Sequence, residues 1–171
     1  MIKLKEILNE DASKKVSSVK EKIKNITIKV DNLNLSNPAS EFLVRIAAVE
    51  SCYGLNKNAG NNIWQIDPPG FADTQNLSSH PGLQDKFDIL KKQGIDWMSK
   101  TYDDIISDTY LNCITARLYL GNKPGKIPSD LISQASYWKT HYNTSSGAGT
   151  VEEFINKNSG DGISGCLDYA K

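Results

Sequence analysis

The sequence predicts a mainly α-helical domain with long loops on one side, preceded by a short N-terminal arm. Apolar residues recur at spacings of three and four over most of the chain, which indicates helix. Helix-start and helix-stop residues flank several of these segments. The 171 residues are enough for one domain with a proper core. We place the arm at residues 1–35 and the domain at residues 36–171.

The arm is rich in lysine, and its apolar residues are sparse but periodic. They are Ile2, Leu4, Ile7, Leu8, Val16, Val19, Ile23 and Ile26. This spacing predicts an amphipathic helix. Residues 25–34 alternate instead and indicate a short strand. Two interpretations of the arm stay open: a solvated helix packed on the domain, or a docking arm that holds a larger assembly.

The first helix of the domain carries a glutamate next to its apolar stripe. Ser36, Asn37 and Pro38 combine a cap residue with a proline and predict the helix start, and Gly54 predicts its end. Glu50 then falls in the last turn, beside the core-facing residues. An apolar setting raises the pKa of a carboxyl group, so Glu50 is a candidate general acid.

Later helices are predicted at residues 83–93, 108–120 and 130–142. Thr150 and Glu153 have the spacing of a capping box, so a last helix should begin at Val151. Residues 68–70, Pro-Pro-Gly, predict an interruption followed by a loop to about residue 82. Because long loops tend to carry function, the loop-rich side is the expected location of a site.

Composition excludes several classes of function. The formal net charge is zero, whereas a nucleic-acid-binding protein normally has a basic surplus. No apolar run approaches the length of a membrane span, and the N-terminus lacks the apolar core of a signal peptide. We therefore expect neither nucleic-acid binding nor membrane insertion.

The cysteines and histidines give no support for a metal site. Cys52, Cys113 and Cys166 lie far apart without CxxC spacing, and His80 and His141 are the only histidines. Buried free thiols are the expected state of the cysteines. We predict no metal and no organic cofactor.

Four short segments occur in a recognisable order. They are Glu50-Ser51, the Asn-Ile-Trp-Gln-Ile block at 62–66, the helix with Asn112, Ala116, Tyr119 and Leu120, and the His-Tyr-Asn-Thr block at 141–144 with Gly147. The set resembles the lysozyme-like superfamily, in particular soluble lytic transglycosylases and goose-type lysozymes. The resemblance covers roughly residues 38–150. The lysine-rich arm and the amino-acid sequence of residues 137–144 are similar to those of phage-encoded members.

The resemblance implies a lysozyme-like fold that cleaves the β-1,4 bond between N-acetylmuramic acid and N-acetylglucosamine. Glu50 would be the general acid. Asp67, which directly follows the block containing Gln65, would be the second carboxylate of a hydrolase, and Asp73 is a weaker alternative. A lytic transglycosylase needs one protein carboxyl group, because the N-acetyl group of the substrate assists. The product stays open.

Further residues are implied to bind the substrate. They are Ser51, Trp64, Gln65, Asp73, Asn112, Tyr119, Tyr142 and Asn143. For Trp64, core packing is the preferred alternative to stacking on a sugar. The chain departs from the family pattern at Asn62 and Trp64, where glycine and methionine are usual, and at Cys113 and Ala116, where isoleucine and glycine are common.

The competing function is a catalytically inactive glycan-binding or virion-assembly module on the same fold. The retained Glu50 speaks against it. The expected partners are peptidoglycan strands and, through the arm, a phage virion or tail protein. Without a signal peptide, the protein is expected in the virion, or in the host cytoplasm until release.

Overall fold

The computed structural model describes the backbone of residues 2–171 and the side chains of residues 9–171, and it is mainly helical. Its α-helices are α1 Ile2–Asp31, α2 Ser40–Ser51, α3 Pro68–Asp73, α4 Leu83–Lys92, α5 Tyr102–Ser107, α6 Thr109–Gly121, α7 Leu131–Trp138 and α8 Val151–Asn158. A π-helical segment at Lys139–Asn143 directly continues α7. Short 3₁₀ helices lie at Lys57–Ala59, Trp97–Ser99 and Ser164–Ala170. Over the described backbone there is no strand.

Helix α1, Ile2–Asp31, occupies most of the arm predicted at residues 1–35. The strand predicted at 25–34 is wrong, because the helix continues to Asp31. Ile23, Thr27 and Val30 recur at helical spacing and are buried, so packing decides the local structure over the apparent alternation. From Ala12 onward α1 contributes to the core and contacts α2, α6 and the last 3₁₀ helix. The predicted side-chain positions Ile2, Leu4, Ile7 and Leu8 lie outside the described side chains.

Helix α2 begins two residues later than Pro38. The carboxylate of Asp31, at the end of α1, accepts hydrogen bonds from the backbone N–H of Ala39 at 3.0 Å and of Ser40 at 2.7 Å. The cap therefore comes from another helix and not from the local Ser-Asn-Pro signal. At the other end α2 stops at Ser51, because Cys52 already adopts a left-handed conformation with φ 48°.

The interruption predicted at residues 68–70 is wrong, because helix α3 begins there. Pro68 and Pro69 occupy its first turn, where no intrahelical N–H bond is needed. The side chain of Asp67 caps this turn by accepting from the N–H of Gly70 at 2.7 Å. The two prolines therefore begin a helix here.

The remaining helices follow local signals. Helices α4 and α6 confirm the predicted segments, and Thr150 caps α8 by accepting from the N–H of Glu153 at 3.0 Å. The segment predicted at 130–142 is α-helical only to Trp138 and then widens into the π-helical turn. Helix α5 was not predicted, although Thr101 and Asp104 form a complete capping box.

The last residues of the chain pack back onto the end of α2. Cys166 forms a disulfide with Cys52, with their Cα atoms 5.3 Å apart. The prediction of free thiols is therefore wrong for this pair and holds only for Cys113, which is buried and free. The hydroxyl of Tyr53 also donates to the carbonyl of Gly162 at 2.9 Å. We call residues 157–170 the C-terminal segment.

Within the described residues, no helix combines the length and the apolar character needed to cross a membrane.

Candidate active site

A cleft of about 310 Å³ opens between the end of α2, α3, α6 and the π-helical segment. Six of the ten predicted site residues line it: Glu50, Gln65, Asp67, Tyr119, Tyr142 and Asn143. The other four, Ser51, Trp64, Asp73 and Asn112, do not line it. The cleft therefore gathers residues from all four segments that were singled out in the sequence, together with Asp67.

Glu50 lies in the wall of this cleft, and its surroundings change its acidity. Burial raises the pKa of its carboxyl group to about 7. A hydrogen bond from Trp138 and the charge of Lys157 act against this shift, and the charge of Glu153 adds to it. The indole N–H of Trp138 donates to Oε1 of Glu50 at 2.9 Å. At neutral pH the group can therefore both hold and release a proton.

Ser51 supports the cleft from behind. Its side chain is buried, and its hydroxyl donates to the carbonyl of Ile63 at 2.8 Å and accepts from the N–H of Gly54 at 2.9 Å. This ties the end of α2 to the segment that carries Gln65. Ser51, predicted to bind substrate, thus lies beneath the cleft surface and joins two of its walls.

Trp64 and Asn112 are likewise buried and lie behind the cleft. The indole N–H of Trp64 donates to the carbonyl of Leu43 at 2.9 Å, so core packing is confirmed and sugar stacking is excluded. The side-chain oxygen of Asn112 accepts from the N–H of Trp64 at 3.3 Å. The amide nitrogen of Asn112 donates to Asn62 at 3.0 Å. Asn112, predicted to bind substrate, therefore fixes the loop of residues 62–66 from behind the cleft.

Asp73 also lies outside the cleft. Its carboxylate contacts Nε2 of His80 at 2.8 Å and accepts from the side chain of Asn122 at 3.2 Å. Burial would raise the pKa of Asp73, but these hydrogen bonds lower it below its usual value. Asp73, the weaker alternative for the second carboxylate, therefore links α3 to the end of α6 and does not line the cleft.

Gln65 and Asp67 form the loop side of the cleft. Gln65 has a positive φ of 50°, and its amide nitrogen donates to the carbonyls of Ala59, at 2.9 Å, and Asn62. Asp67 is exposed, with Oδ1 engaged by the cap of α3. One oxygen of Asp67 thus has a structural partner, and the other remains available to a ligand.

Two tyrosines form the opposite side. The rings of Tyr119 and Tyr142 meet edge to face at 5.5 Å. The hydroxyl of Tyr142 donates to the carbonyl of Trp64 at 2.6 Å, which holds the ring in place. Above Tyr119 the ammonium of Lys123 lies 3.6 Å from the ring centroid. Both rings are therefore fixed before any ligand binds.

The π-helical turn shapes the last wall. Lys139 donates to the side-chain oxygen of Asn143 and to the carbonyl of Gly147, both at 2.8 Å. A Cβ on Gly147 would overlap Asn143, so only glycine permits this close approach. π-helical turns occur frequently at functional sites, because they redirect side chains without ending the helix.

Sequence reasoning missed Trp138, Lys139 and Gly149. Trp138 and Lys139 lie within the block similar to phage-encoded members, but periodicity places Trp138 in the core and gives no partner for it. No combination of three or more histidine, cysteine, aspartate or glutamate side chains that could hold a metal ion occurs among the described residues.

Comparisons with protein-family models, with curated proteins and with solved structures find no match to this chain.

Proposed function

We propose that this protein cleaves the β-1,4 bond between N-acetylmuramic acid and N-acetylglucosamine in peptidoglycan, with Glu50 as general acid. One observation carries the proposal: a carboxyl group with a pKa of about 7 lies in the wall of a cleft. Such a group is protonated often enough at neutral pH to deliver a proton to a leaving group. The lysozyme-like resemblance supplies the substrate class.

In the proposed reaction, the proton of Glu50 moves to the glycosidic oxygen as the bond from that oxygen to the anomeric carbon breaks. The electron pair of the bond stays on the leaving oxygen, and positive charge develops on the sugar. Tyr119 and Tyr142 offer fixed aromatic surface to the glycan, and Asn143 and Gln65 offer polar side-chain atoms.

The fate of the charged sugar depends on Asp67. In a two-carboxylate hydrolase, Asp67 would act as base or nucleophile. In a lytic transglycosylase, the substrate's N-acetyl group would stabilise the charge. The sugar's own 6-hydroxyl, in place of water, would then bond to the anomeric carbon and give its proton to the ionised Glu50. The cap to Gly70 occupies one oxygen of Asp67, and the residue is exposed. Both features favour the substrate-assisted route, because a carboxylate used as nucleophile should be free and desolvated.

Mass spectrometry of fragments released from purified peptidoglycan tests the proposal. Anhydro-muramic ends would identify a transglycosylase, and ordinary reducing ends would identify a hydrolase. Glu50→Gln should release nothing, because the amide keeps the shape and lacks the acidic proton. Glu152→Gln, at an exposed position on α8, is the matched control and should retain full activity. An active Glu50→Gln protein, or no fragments from the wild-type protein, would refute the proposal.

A further inference from the structure

The carboxyl group of Glu50 has a single hydrogen-bond partner among the described side chains. That partner is the indole N–H of Trp138, which donates to Oε1 at 2.9 Å. An indole nitrogen is a donor only and never accepts. Oε1 must therefore keep a lone pair toward Trp138 whether Glu50 is charged or neutral. In the neutral acid the proton is therefore bound to Oε2.

Trp138 is itself held on several sides. It is buried, and it is the last residue of α7 before the π-helical turn. Its ring packs against Phe154 of α8 with the centroids 5.2 Å apart. On another side lies Gly149, where an added Cβ would be 2.5 Å from Cη2 of Trp138. That distance is far inside van der Waals contact, so the absence of a side chain at 149 is what admits the indole ring.

The charged groups that act on Glu50 belong to helix α8. Lys157 and Glu153 on α8 act on its pKa with opposite signs, and they form an ion pair with each other at 3.0 Å. Tyr142, on the π-helical turn, uses its hydroxyl to donate to the backbone at Trp64. None of these groups is hydrogen-bonded to the carboxyl of Glu50, so Trp138 alone sets its orientation.

We propose that Trp138 is a positioning residue: its indole N–H fixes Oε1 of Glu50, so that Oε2 carries the proton that is delivered into the cleft, and Gly149 keeps the indole in place. This role rests on the proposed function of Glu50 as an acid. It adds that the two carboxyl oxygens of Glu50 are not equivalent, and that this difference is created by one neutral donor, the indole N–H of Trp138.

The first test uses the wild-type protein and needs no activity. The chain has three tryptophans, and the indole N–H of each donates to a different partner: Leu43 for Trp64, Thr74 for Trp97 and Glu50 for Trp138. In an NMR titration, the Trp138 indole resonance should move with a midpoint near pH 7, as Glu50 ionises. The other two should not follow that transition. A Trp138 resonance that stays constant across it would overturn the proposal.

The second test compares two tryptophan variants. Trp138→Phe removes the N–H and keeps an aromatic ring against Phe154. Trp97→Phe removes a buried indole whose N–H donates to Thr74 and not to Glu50. In Trp138→Phe, the titration midpoint of ¹³C-labelled Glu50 should rise by roughly one pH unit. The reason is that the hydrogen bond from Trp138 stabilises the charged carboxylate, and the variant lacks this bond. Trp97→Phe should leave it unchanged. Equal behaviour of the two variants would reduce Trp138 to a packing residue and refute the proposal.

Kinetics separates this proposal from the proposed function. On peptidoglycan, Trp138→Phe should lower kcat by about tenfold with KM within about twofold, since positioning acts on the reacting geometry. A wild-type protein without activity would refute the glycan-cleaving function while the NMR coupling still tests the Trp138 bond. An active protein without that coupling would refute the role of Trp138 and leave the proposed function intact.

Discussion

Replacing Glu50 with glutamine should stabilise the protein at neutral and alkaline pH while removing its proposed activity. The folded carboxyl has a pKa of about 7, whereas an unperturbed glutamate has 4.5. The folded state therefore binds the proton more tightly than the unfolded state. As pH rises from about 4.5 to about 7, the unfolded chain ionises first and the free energy of unfolding falls. Below 4.5 this loss is absent, and above 7 it is complete.

The size of the effect follows from the two pKa values. They differ by roughly 2.5 pH units, and each unit corresponds to about 1.4 kcal/mol, so ionised Glu50 costs the folded state about 3–4 kcal/mol. Glutamine has no such cost, and its side-chain oxygen can still accept from Trp138. At pH 8.5 we expect Glu50→Gln to unfold with a free energy about 3–4 kcal/mol higher than the wild type, a difference that disappears near pH 4.

Chemical denaturation at a series of pH values between 4 and 8.5 measures this difference directly. Glu21→Gln, on the exposed face of α1, is the control and should change stability by less than about 0.5 kcal/mol. A Glu50→Gln difference that is the same at every pH would show that Glu50 is not a carboxyl held neutral by burial. The general-acid argument would then lose its physical basis.

Four other predictions concern the cleft and its supports. Glycan cleavage should fall about tenfold per pH unit above pH 7, because Glu50 loses its proton; a rate that is flat to pH 9 would contradict this. Cys166→Ser should lower the free energy of unfolding by about 3–5 kcal/mol, and a reducing agent should then destabilise the wild type but not the variant. Gly147→Ala should cost about 1–3 kcal/mol and weaken glycan binding in a titration, because its Cβ has no room. Asp67→Asn should keep the cap of α3 and nearly full activity if the substrate-assisted route operates, while Asp67→Ala should lose about 1 kcal/mol of stability in thermal unfolding.

The sequence predicts those elements whose determinants are local. Helix α8 begins where Thr150 and Glu153 indicate, and α6 begins after Asp108, whose side chain accepts from the N–H groups of residues 110 and 111. Helix α2 begins elsewhere than predicted because its cap, Asp31, belongs to α1. A local pattern cannot reveal a cap that reaches the helix through tertiary packing.

The same distinction applies to the cleft. Tyr119, Tyr142 and Asn143 could be named from the order of the motifs, and all three line the cleft, whereas Trp64 and Asn112 from the same motifs lie behind it. Trp138 could not, because its partner is 88 residues away in sequence and an indole on an apolar helix face also suits a core position. The Cys52–Cys166 disulfide spans 114 residues and leaves no spacing signal.

These long-range contacts are not spread evenly over the fold. The C-terminal segment lies beyond the motifs, yet it holds the end of α2 at three points. Lys157 donates to the carbonyl of Val49 at 3.0 Å, Gly162 accepts from Tyr53, and Cys166 is bonded to Cys52. All three points flank Glu50. Because burial keeps Glu50 neutral, its ionisation destabilises this part of the folded state by about 3–4 kcal/mol, as worked out above from the two pKa values.

The Cys52–Cys166 disulfide closes a long loop, so it stabilises the folded state by roughly as much as the ionisation of Glu50 destabilises it. Because the bond is anchored two residues from Glu50, it opposes local opening of the helix end that carries the acid, where ionisation would otherwise favour exposure to water. The C-terminal segment thus allows the cleft to keep a carboxyl group of raised pKa without fraying α2. Breaking the disulfide should move the pKa of Glu50, followed by NMR, back toward 4.5 and lower the proposed activity together, even though neither cysteine lines the cleft.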